Sequence, residues 1–212
     1  MPLTLVDRFH PRRRKELQQA IDAGRLHKRD ELELLTPEAM RPLARLGVLM
    51  LVGAGIFFIV LNCATYFWYK HTLNPGITFR GVLLWLVINI VVSFVILPLH
   101  ELIHGLAFLL WGGKPFFGAK LPFALYCGAR QQIFARNQYL IVGLAPLVII
   151  TIIAVVLTLF SPLLASYTLF ANLSNFSGAV GDVWVASRIL RQPAAILIED
   201  TDVGYRAWEI LP

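Results

Sequence analysis

Long apolar runs dominate this chain from about residue 45 onward, and they constrain its fold more than any other feature. Of its 212 residues, 57% are hydrophobic and only 15% are charged. Soluble domains rarely combine such values, and an apolar stretch of ~20 residues is long enough to cross a bilayer as a helix. The composition and the runs together predict an all-α membrane protein.

Apolar segments supply about four predicted transmembrane helices. They cover approximately residues 46–69, 81–111, 138–160 and 163–185. The sequence N-P-G at 74–76 indicates a turn before the second segment. Pro98 is expected to kink that segment, and the glycine pair at 112–113 should end it.

The spans divide the chain into three predicted regions. Residues 1–45 form a polar N-terminal arm, residues 46–187 the integral membrane domain, and residues 188–212 a polar tail. Within the arm, the apolar spacing predicts a short amphipathic helix that ends near Gly24. Thr36, which a proline follows, resembles the N-cap of a further helix.

The loop at 114–137 mixes apolar and polar residues with proline, glycine and aromatic side chains. That pattern is typical of a short hairpin, here one associated with the membrane surface. Cys127 lies in this loop and Cys63 in the first apolar segment. Because the two cysteines fall in different segments and match no paired spacing, we expect no disulfide.

Basic residues are distributed unevenly between the two sides that four spans imply. The arm carries ten Lys or Arg residues, the 114–137 loop four and the tail three, whereas the two opposite loops carry only Lys70 and Arg80. Basic loops favour the cytosolic side. We therefore predict a multi-pass protein of the cell membrane with both termini in the cytosol. Its formal charge of +6 then reflects topology, and no nucleic-acid partner is expected.

Ionisable residues are few within the apolar region. The only acids between residues 39 and 198 are Glu101 and Asp182. The only histidines after residue 72 are His100 and His104. Because ionisable groups at membrane depth are costly, such residues usually mark a functional site.

The sequence H-E-L-I-H at 100–104 matches the H-E-x-x-H pattern of zinc peptidases. Residues i and i+4 of a helix share a face, so His100 and His104 can bind one ion. Glu101 lies on the adjoining flank, where it can take a proton from a water on that ion. Zn²⁺ is therefore the predicted cofactor, the two histidines are predicted ligands, and Glu101 is the predicted general base.

Asp182 is the predicted third ligand. A catalytic zinc usually has three protein ligands, and no other apolar segment carries an acid. At ~1.5 Å per residue, His100 lies about 28 Å beyond Gly81. By the same rise, Asp182 lies about 26 Å beyond Ala165, so both reach the cytosolic side of a ~30 Å hydrocarbon core. The alternative is a helix-terminal acid that pairs with Arg188.

Two asparagines share the last apolar segment with this aspartate. Asn172 and Asn175 are candidates for binding a substrate backbone or orienting a ligand. Packing between helices is an equally good explanation for both, and the sequence leaves the choice open.

Four motifs occur in order along the second half of the chain. They are H-E-L-I-H-G at 100–105, K-L-P-F-A-L-Y-C at 120–127, G-L-A-P at 143–146 and N-F-S-G-A-V-G-D at 175–182. Over roughly residues 80–205 the chain resembles the putative zincin peptidase family of small bacterial membrane proteins. It is also similar in layout to the site-2 proteases, which cut transmembrane substrates. The resemblance implies zinc on His100, His104 and Asp182, with Glu101 as base.

One position departs from the wider group. In site-2 proteases the third-ligand aspartate belongs to an Asp-Gly pair that follows Asn-Pro, whereas Asp182 follows Gly181 and precedes Val183.

These features predict an intramembrane zinc metalloprotease that hydrolyses a membrane-spanning or membrane-adjacent protein near the cytosolic face. Spanning helices hide their peptide bonds, so a substrate must unwind locally. The 114–137 loop could bind the unwound stretch as an added strand. One alternative is a non-catalytic zinc-binding membrane protein, such as a regulatory or pseudo-enzyme subunit. Another is a metal transporter, although transporters favour polar groups along a path and this chain concentrates them at one depth.

Overall fold

Helices and strands both contribute to the computed structural model, which describes residues 3–72, 78–120, 124–201 and 204–211. The helices are α1 (Pro11–Asp22), α2 (Pro37–Lys70), α3 (Phe79–Trp111), α4 (Arg136–Phe160), α5 (Pro162–Ser166), α6 (Leu169–Gly178) and α7 (Val180–Ile189). The strands are β1 (Thr4–Leu5), β2 (Leu26–Glu33), β3 (Phe116–Lys120), β4 (Ala124–Gly128), β5 (Gln132–Ala135), β6 (Leu197–Thr201) and β7 (Gly204–Ile210).

Three helices in the described part of the chain, α2, α3 and α4, are long and apolar enough to cross a membrane. They confirm the first three predicted apolar segments. Helix α2 begins at Pro37, and the Ala39 N–H donates to the Thr36 hydroxyl at 3.3 Å, as the N-cap prediction requires. Helix α3 continues through Pro98. Many large apolar side chains on these helices are exposed, which indicates a membrane protein.

The fourth predicted span is not one continuous helix. Residues 162–189 form α5, α6 and α7 instead, so four spanning helices are not confirmed. The chain leaves helical geometry around Tyr167 and Thr168, and again at Ala179 after Gly178. Asparagine, serine and glycine are frequent in this stretch, and all three have low helix propensity.

A five-stranded sheet shows that the all-α prediction is wrong. Its order is β1-β5-β6-β7-β2; β1 and β5 are parallel, and the other neighbours are antiparallel. Strand β2 pairs with β7 from Leu26 opposite Ile210 to Glu33 opposite Gly204. The arm and the tail, both predicted as polar stretches, therefore contribute strands to one sheet. Local periodicity could not reveal this, because each strand finds its partner far away in the sequence.

The local predictions made outside the spans agree better with the structure. Helix α1 ends at Asp22, and Gly24 follows with φ +73°, a conformation that glycine adopts readily. The hairpin is present, with β3 and β4 antiparallel from Phe116 opposite Gly128 onward. Both cysteines are unpaired thiols, as expected. The turn predicted at 74–76 lies outside the described residues.

The chain divides into two compact units, each with its own core. The first unit comprises Met1–Leu43, Glu101–Ala145 and Gly181–Pro212, and the second comprises Ala44–His100 and Pro146–Val180. Buried residues of the main core of the first unit are Val6, Phe108, Ala129, Phe134, Tyr139, Val142, Val185, Ile189, Ile196, Ile198, Tyr205 and Ala207. The second unit has a smaller core around Ala54, Phe58 and Ala154.

Candidate metal centre

Helix α3 presents the residues of the H-E-x-x-H motif as one compact group. One ring nitrogen of His100, one of His104 and one carboxylate oxygen of Glu101 all lie within 4.8 Å of one another. The histidines are only 6% and 7% exposed, and Glu101 is half-buried. The group is therefore small enough to hold one metal ion and is largely shielded from solvent.

An amide on α6 orients the first histidine. His100 Nδ1–H donates to Asn175 Oδ1 at 2.9 Å. Since an amide oxygen can only accept, the proton is on Nδ1 and Nε2 is the basic nitrogen of the ring. Asn175 is 2% exposed, so the contact is protected from water. Asn172 behaves differently, because its Nδ2 lies 3.5 Å from Thr168 Oγ1 on the preceding turn.

A backbone carbonyl on α4 orients the second histidine. His104 Nδ1–H donates to the Val142 oxygen at 2.9 Å. In an uninterrupted helix this oxygen would accept the N–H of residue 146. Residue 146 is a proline inside α4, which has no N–H to donate. The proline of the G-L-A-P motif thus leaves the Val142 carbonyl without its usual helical donor, and the imidazole takes that place.

The Asp182 carboxylate lies beside the second histidine. Asp182 Oδ1 is 3.5 Å from His104 Nε2. That separation exceeds the ~2.9 Å of a typical N–H···O hydrogen bond. It matches the ~3.4 Å between two ligand atoms bound tetrahedrally to one zinc at ~2.0–2.2 Å. Asp182 also occupies the first turn of α7, where the helix dipole favours an anion.

The main core of the first unit fixes the helices that carry these groups. Phe108 follows His104 by one turn of α3, and Val185 follows Asp182 by one turn of α7. Both belong to the same buried cluster, and so does Val142. Side chains in such a close-packed cluster hold their helices in register. The distance between His104 and Asp182 is therefore set by packing that lies one turn away.

The donor set suits Zn²⁺. Imidazole nitrogen and carboxylate oxygen are common zinc ligands, and three protein ligands with one open position are typical of a catalytic zinc. Histidines that bind zinc usually donate their other N–H to a carbonyl or carboxylate. His100 and His104 both do so, to Asn175 and Val142. The residues present at the centre therefore fit a zinc ion.

The β3–β4 hairpin packs against α3 beside the motif. A Cβ on Gly105 would come within 2.7 Å of the Phe117 ring and 3.5 Å of Cys127 Sγ, so a side chain there would displace the Phe117 ring. Burial, together with the charges of Glu101 and Asp200, raises the pKa of the Cys127 thiol to about 12. The cysteine of the hairpin is therefore electrostatically coupled to the proposed base.

Sequence reasoning did not identify two of these contributors. The Val142 carbonyl could have been found from Pro146, because a helix-interior proline always removes the donor for the carbonyl four residues earlier. The glycine at position 105, next to the second histidine, indicated that another segment approaches α3 closely. What it could not indicate was that the approaching segment would be the hairpin.

Comparisons with known proteins agree with the chemistry of this centre. A family model described as "Putative zincin peptidase" matches residues 93–197. No curated protein and no solved structure matches the chain. The match confirms the family resemblance seen in the motifs, whereas the similarity to site-2 proteases stays a prediction. The segment 93–197, which holds the H-E-L-I-H motif and Asp182, thus matches the putative zincin peptidase family.

Proposed function

We propose that this protein is an intramembrane zinc metalloprotease that cuts a membrane-spanning or membrane-adjacent protein near the cytosolic face. The observation that carries the proposal is the 3.5 Å separation of Asp182 Oδ1 from His104 Nε2, next to a histidine pair on one turn of α3. His100, His104 and Asp182 would hold the ion. A bound Zn²⁺ would polarise the scissile carbonyl and lower the pKa of a water to ~7.

Glu101 moves the protons of the reaction. It takes a proton from the attacking water while the water oxygen adds to the carbonyl carbon of the peptide. It then delivers that proton to the amide nitrogen as the C–N bond breaks. The second proton of the water passes from the new carboxyl group to the amine, so the products are a carboxylate end and an ammonium end. Glu101 is half-buried on the flank of α3 beside both histidines, which suits a group that must reach the reacting atoms without binding the ion.

Sheet pairing supports the predicted topology. Strands β1 and β2 precede α2, β5 precedes α4, and β6 and β7 follow α7, yet all five belong to one sheet. Strands of one sheet must lie on one side of a membrane, so the chain crosses an even number of times between any two of them. Helices α2 and α3 form one such pair. Helix α4 then needs a return path, which α5 to α7 supply, and the basic residues assign the sheet side to the cytosol.

The hairpin supplies a surface for the unwound substrate. Within the described residues, β3 and β4 form a sheet of two strands, so each has an outer edge with backbone groups that an extended peptide can pair with. Gly105 allows this sheet to lie against α3 directly after His104. A peptide added to the hairpin would therefore run past the H-E-x-x-H turn.

Metal analysis beside a cleavage assay tests the proposal. Zinc content of purified full-length protein should be close to one per chain for wild type and fall strongly for His100→Ala, His104→Ala and Asp182→Ala. His27→Ala, on strand β2, is the matched control and should keep its zinc. Wild type without bound metal would contradict the proposal.

Glu101→Gln separates an enzyme from a zinc-binding protein without activity. We expect it to keep zinc and to lower cleavage of a single-span test substrate by about 10²–10⁴-fold, the usual contribution of a general base. Unchanged cleavage would exclude Glu101 as the base. Zinc binding without cleavage of any test substrate by wild type would favour the non-catalytic alternative.

Deleting residues 116–126 tests the role of the hairpin. The deletion should abolish cleavage while zinc stays bound. Normal cleavage by a zinc-loaded deletion variant would exclude strand addition.

A further inference from the structure

Asp200 on β6 is a buried carboxylate that the proposed reaction does not use. It is 7% exposed and lies outside the segment that matches the family. Its Oδ1 accepts the Tyr139 hydroxyl at 2.6 Å, and its Oδ2 accepts the Ala129 N–H at 2.7 Å. Burying a carboxylate is costly unless it is well hydrogen-bonded, so a buried acid with two short bonds has a defined task.

The first of these bonds joins strand β6 to the start of α4. Tyr139 stands in the first turn of α4 and is 8% exposed. Its ring packs against the adjoining rings of Phe108 of α3 and Phe134 of β5, with its centroid 6.5 Å from each of theirs. The ring alone could slide along these apolar neighbours, whereas a short bond from its hydroxyl to a carboxylate has one defined geometry.

Val142 follows Tyr139 by three residues, which is less than one turn of the same helix. Its carbonyl accepts His104 Nδ1–H at 2.9 Å. Any rotation or axial shift of this turn would therefore displace the acceptor that sets the orientation and tautomer of the imidazole. The chain of contacts runs from the Asp200 carboxylate through the Tyr139 hydroxyl and the Val142 carbonyl to His104.

Through the second bond, the same carboxylate holds the end of the hairpin in place. Ala129 directly follows β4, and the preceding residue is Gly128. A Cβ on Gly128 would lie 2.6 Å from Asp200 Oδ2, so glycine is what allows the carboxylate to reach this backbone. One side chain of β6 thus anchors two elements of the first unit, α4 and the hairpin.

We propose that Asp200 is a positioning residue for the metal centre, which acts through Tyr139 and the first turns of α4 to hold the Val142 carbonyl against His104. The inference rests on the metal site of the proposed function. It adds that a residue of strand β6, just beyond the family segment, tunes how tightly that site binds its ion.

Zn²⁺ affinity of the full-length protein, measured by competition with a chromogenic chelator, tests the inference. Asp200→Asn and Tyr139→Phe should each weaken binding by about tenfold, the lower end of the effect expected for residues that orient a metal ligand. The double variant should lose less than the sum of the two single losses, because both changes act on the bond between Tyr139 and residue 200, although Asp200→Asn also disturbs the bond to Ala129. The visible spectrum of the Co²⁺-substituted protein should shift in both variants, which a change in overall stability alone would not cause.

Glu199→Gln is the matched control. Glu199 is the neighbour of Asp200 on β6 and is also 7% exposed, but it accepts from Trp208 Nε1 at 2.9 Å and does not bond to α4. The Zn²⁺ affinity and the Co²⁺ spectrum of the Glu199→Gln variant should equal those of wild type. Equal affinities for wild type, Asp200→Asn and Tyr139→Phe would overturn the inference and leave the metal site intact. Absence of metal binding in wild type would overturn the proposed function as well.

Discussion

The two compact units satisfy their polar side chains in different ways. In the second unit, hydroxyl groups on spanning helices bond to carbonyls of their own helix, as Ser93 does with Asn89. In the first unit, polar side chains join elements that are distant in sequence, as the Tyr205 hydroxyl does with Asp30. Lipid offers no hydrogen bonds, so a spanning helix must be satisfied locally. Side chains of the second unit also make long-range bonds, such as that of His100 with Asn175, but its helices satisfy their own backbones, whereas the strands of the first unit need distant partners. The comparison teaches that the backbone structure of one unit is specified mainly by local sequence and that of the other by long-range pairing.

Substitutions in the two cores should give the largest effect that tests this difference between the units. Phe134 of the first unit is 0% exposed and Phe58 of the second is 3% exposed. We expect Phe134→Ala to lower the free energy of unfolding by about 3–5 kcal/mol, through lost burial and a cavity. Phe58→Ala should lower it by roughly half as much. A side chain of a spanning helix is already in apolar lipid before the helices pack, so its burial gains no transfer energy from water. Reversible unfolding in mixed micelles measures both, and equal losses would contradict the difference between the units.

The thiol of Cys127 reports on long-range charge in the first unit. Its pKa is raised from an ordinary 9.0 to about 12 by burial and by the charges of Glu101 and Asp200. Alkylation depends on the thiolate, so at pH 8 we expect a rate roughly a thousandfold below that of an ordinary exposed thiol. The rate should rise with pH up to the raised pKa.

Iodoacetamide labelling followed by mass spectrometry of a Cys63→Ser background measures that rate. Glu101→Gln should speed the labelling, because it removes one of the charges that disfavour the thiolate. A labelling rate that is the same with and without the Glu101 carboxylate would show that this charge does not contribute to the raised pKa of Cys127.

The Pro146→Ala variant tests whether a local sequence feature can control the long-range contact between the Val142 carbonyl and His104. Pro146→Ala restores an N–H that competes with His104 for the Val142 carbonyl, so Zn²⁺ affinity should fall by about tenfold. Pro98→Ala in α3 is the control, since it also restores a helical N–H, and we expect its affinity to match wild type. Chelator competition measures both variants. A smaller effect for Pro146→Ala than for Pro98→Ala would contradict the role given to this carbonyl.

The smallest expected effect lies on the surface of the sheet. Glu31 accepts from Lys28 and Arg206, and these bonds lower its pKa below the ordinary 4.5. A lowered folded-state pKa adds stability that is present above the unfolded value and is lost as the pH falls through the folded value. Because the group is exposed and screened, Glu31→Gln should cost less than ~1 kcal/mol at neutral pH. The difference from wild type should shrink in high salt and as the pH falls through the lowered folded-state pKa, as unfolding curves at several pH values would show.

Much of the second unit could be predicted from the sequence, because its signals are local. Long apolar runs predicted most of the spanning helices. Thr36 and Pro37, which belong to the first unit, likewise predicted the start of α2 by a local signal. The break after Ser166 was missed, since an apolar run alone does not show where a helix leaves its axis. Helix propensity in the stretch before Gly178 was the relevant signal.

The candidate site was predictable in its residues and not in its surroundings. The spacing of His100 and His104 predicts that they share one helix face. Because the apolar segments contain no acids besides Glu101 and Asp182, Asp182 was the remaining candidate for the third ligand. Nothing local connects Asp200 with α4, because that contact depends on how β6 pairs in the sheet. The same holds for β2, whose charged sequence is typical of a solvated arm until β7 is placed beside it.

The order of strands in the five-stranded sheet has a consequence for biosynthesis. Strand β2 leaves the ribosome before any of the spanning helices, and its partner β7 emerges after all of them. The nascent chain must therefore insert its apolar helices while the N-terminal strand is still unpaired. Asp200 also emerges after the spanning helices, so the alignment that we propose for the metal centre can be complete only once strand β6 has been made.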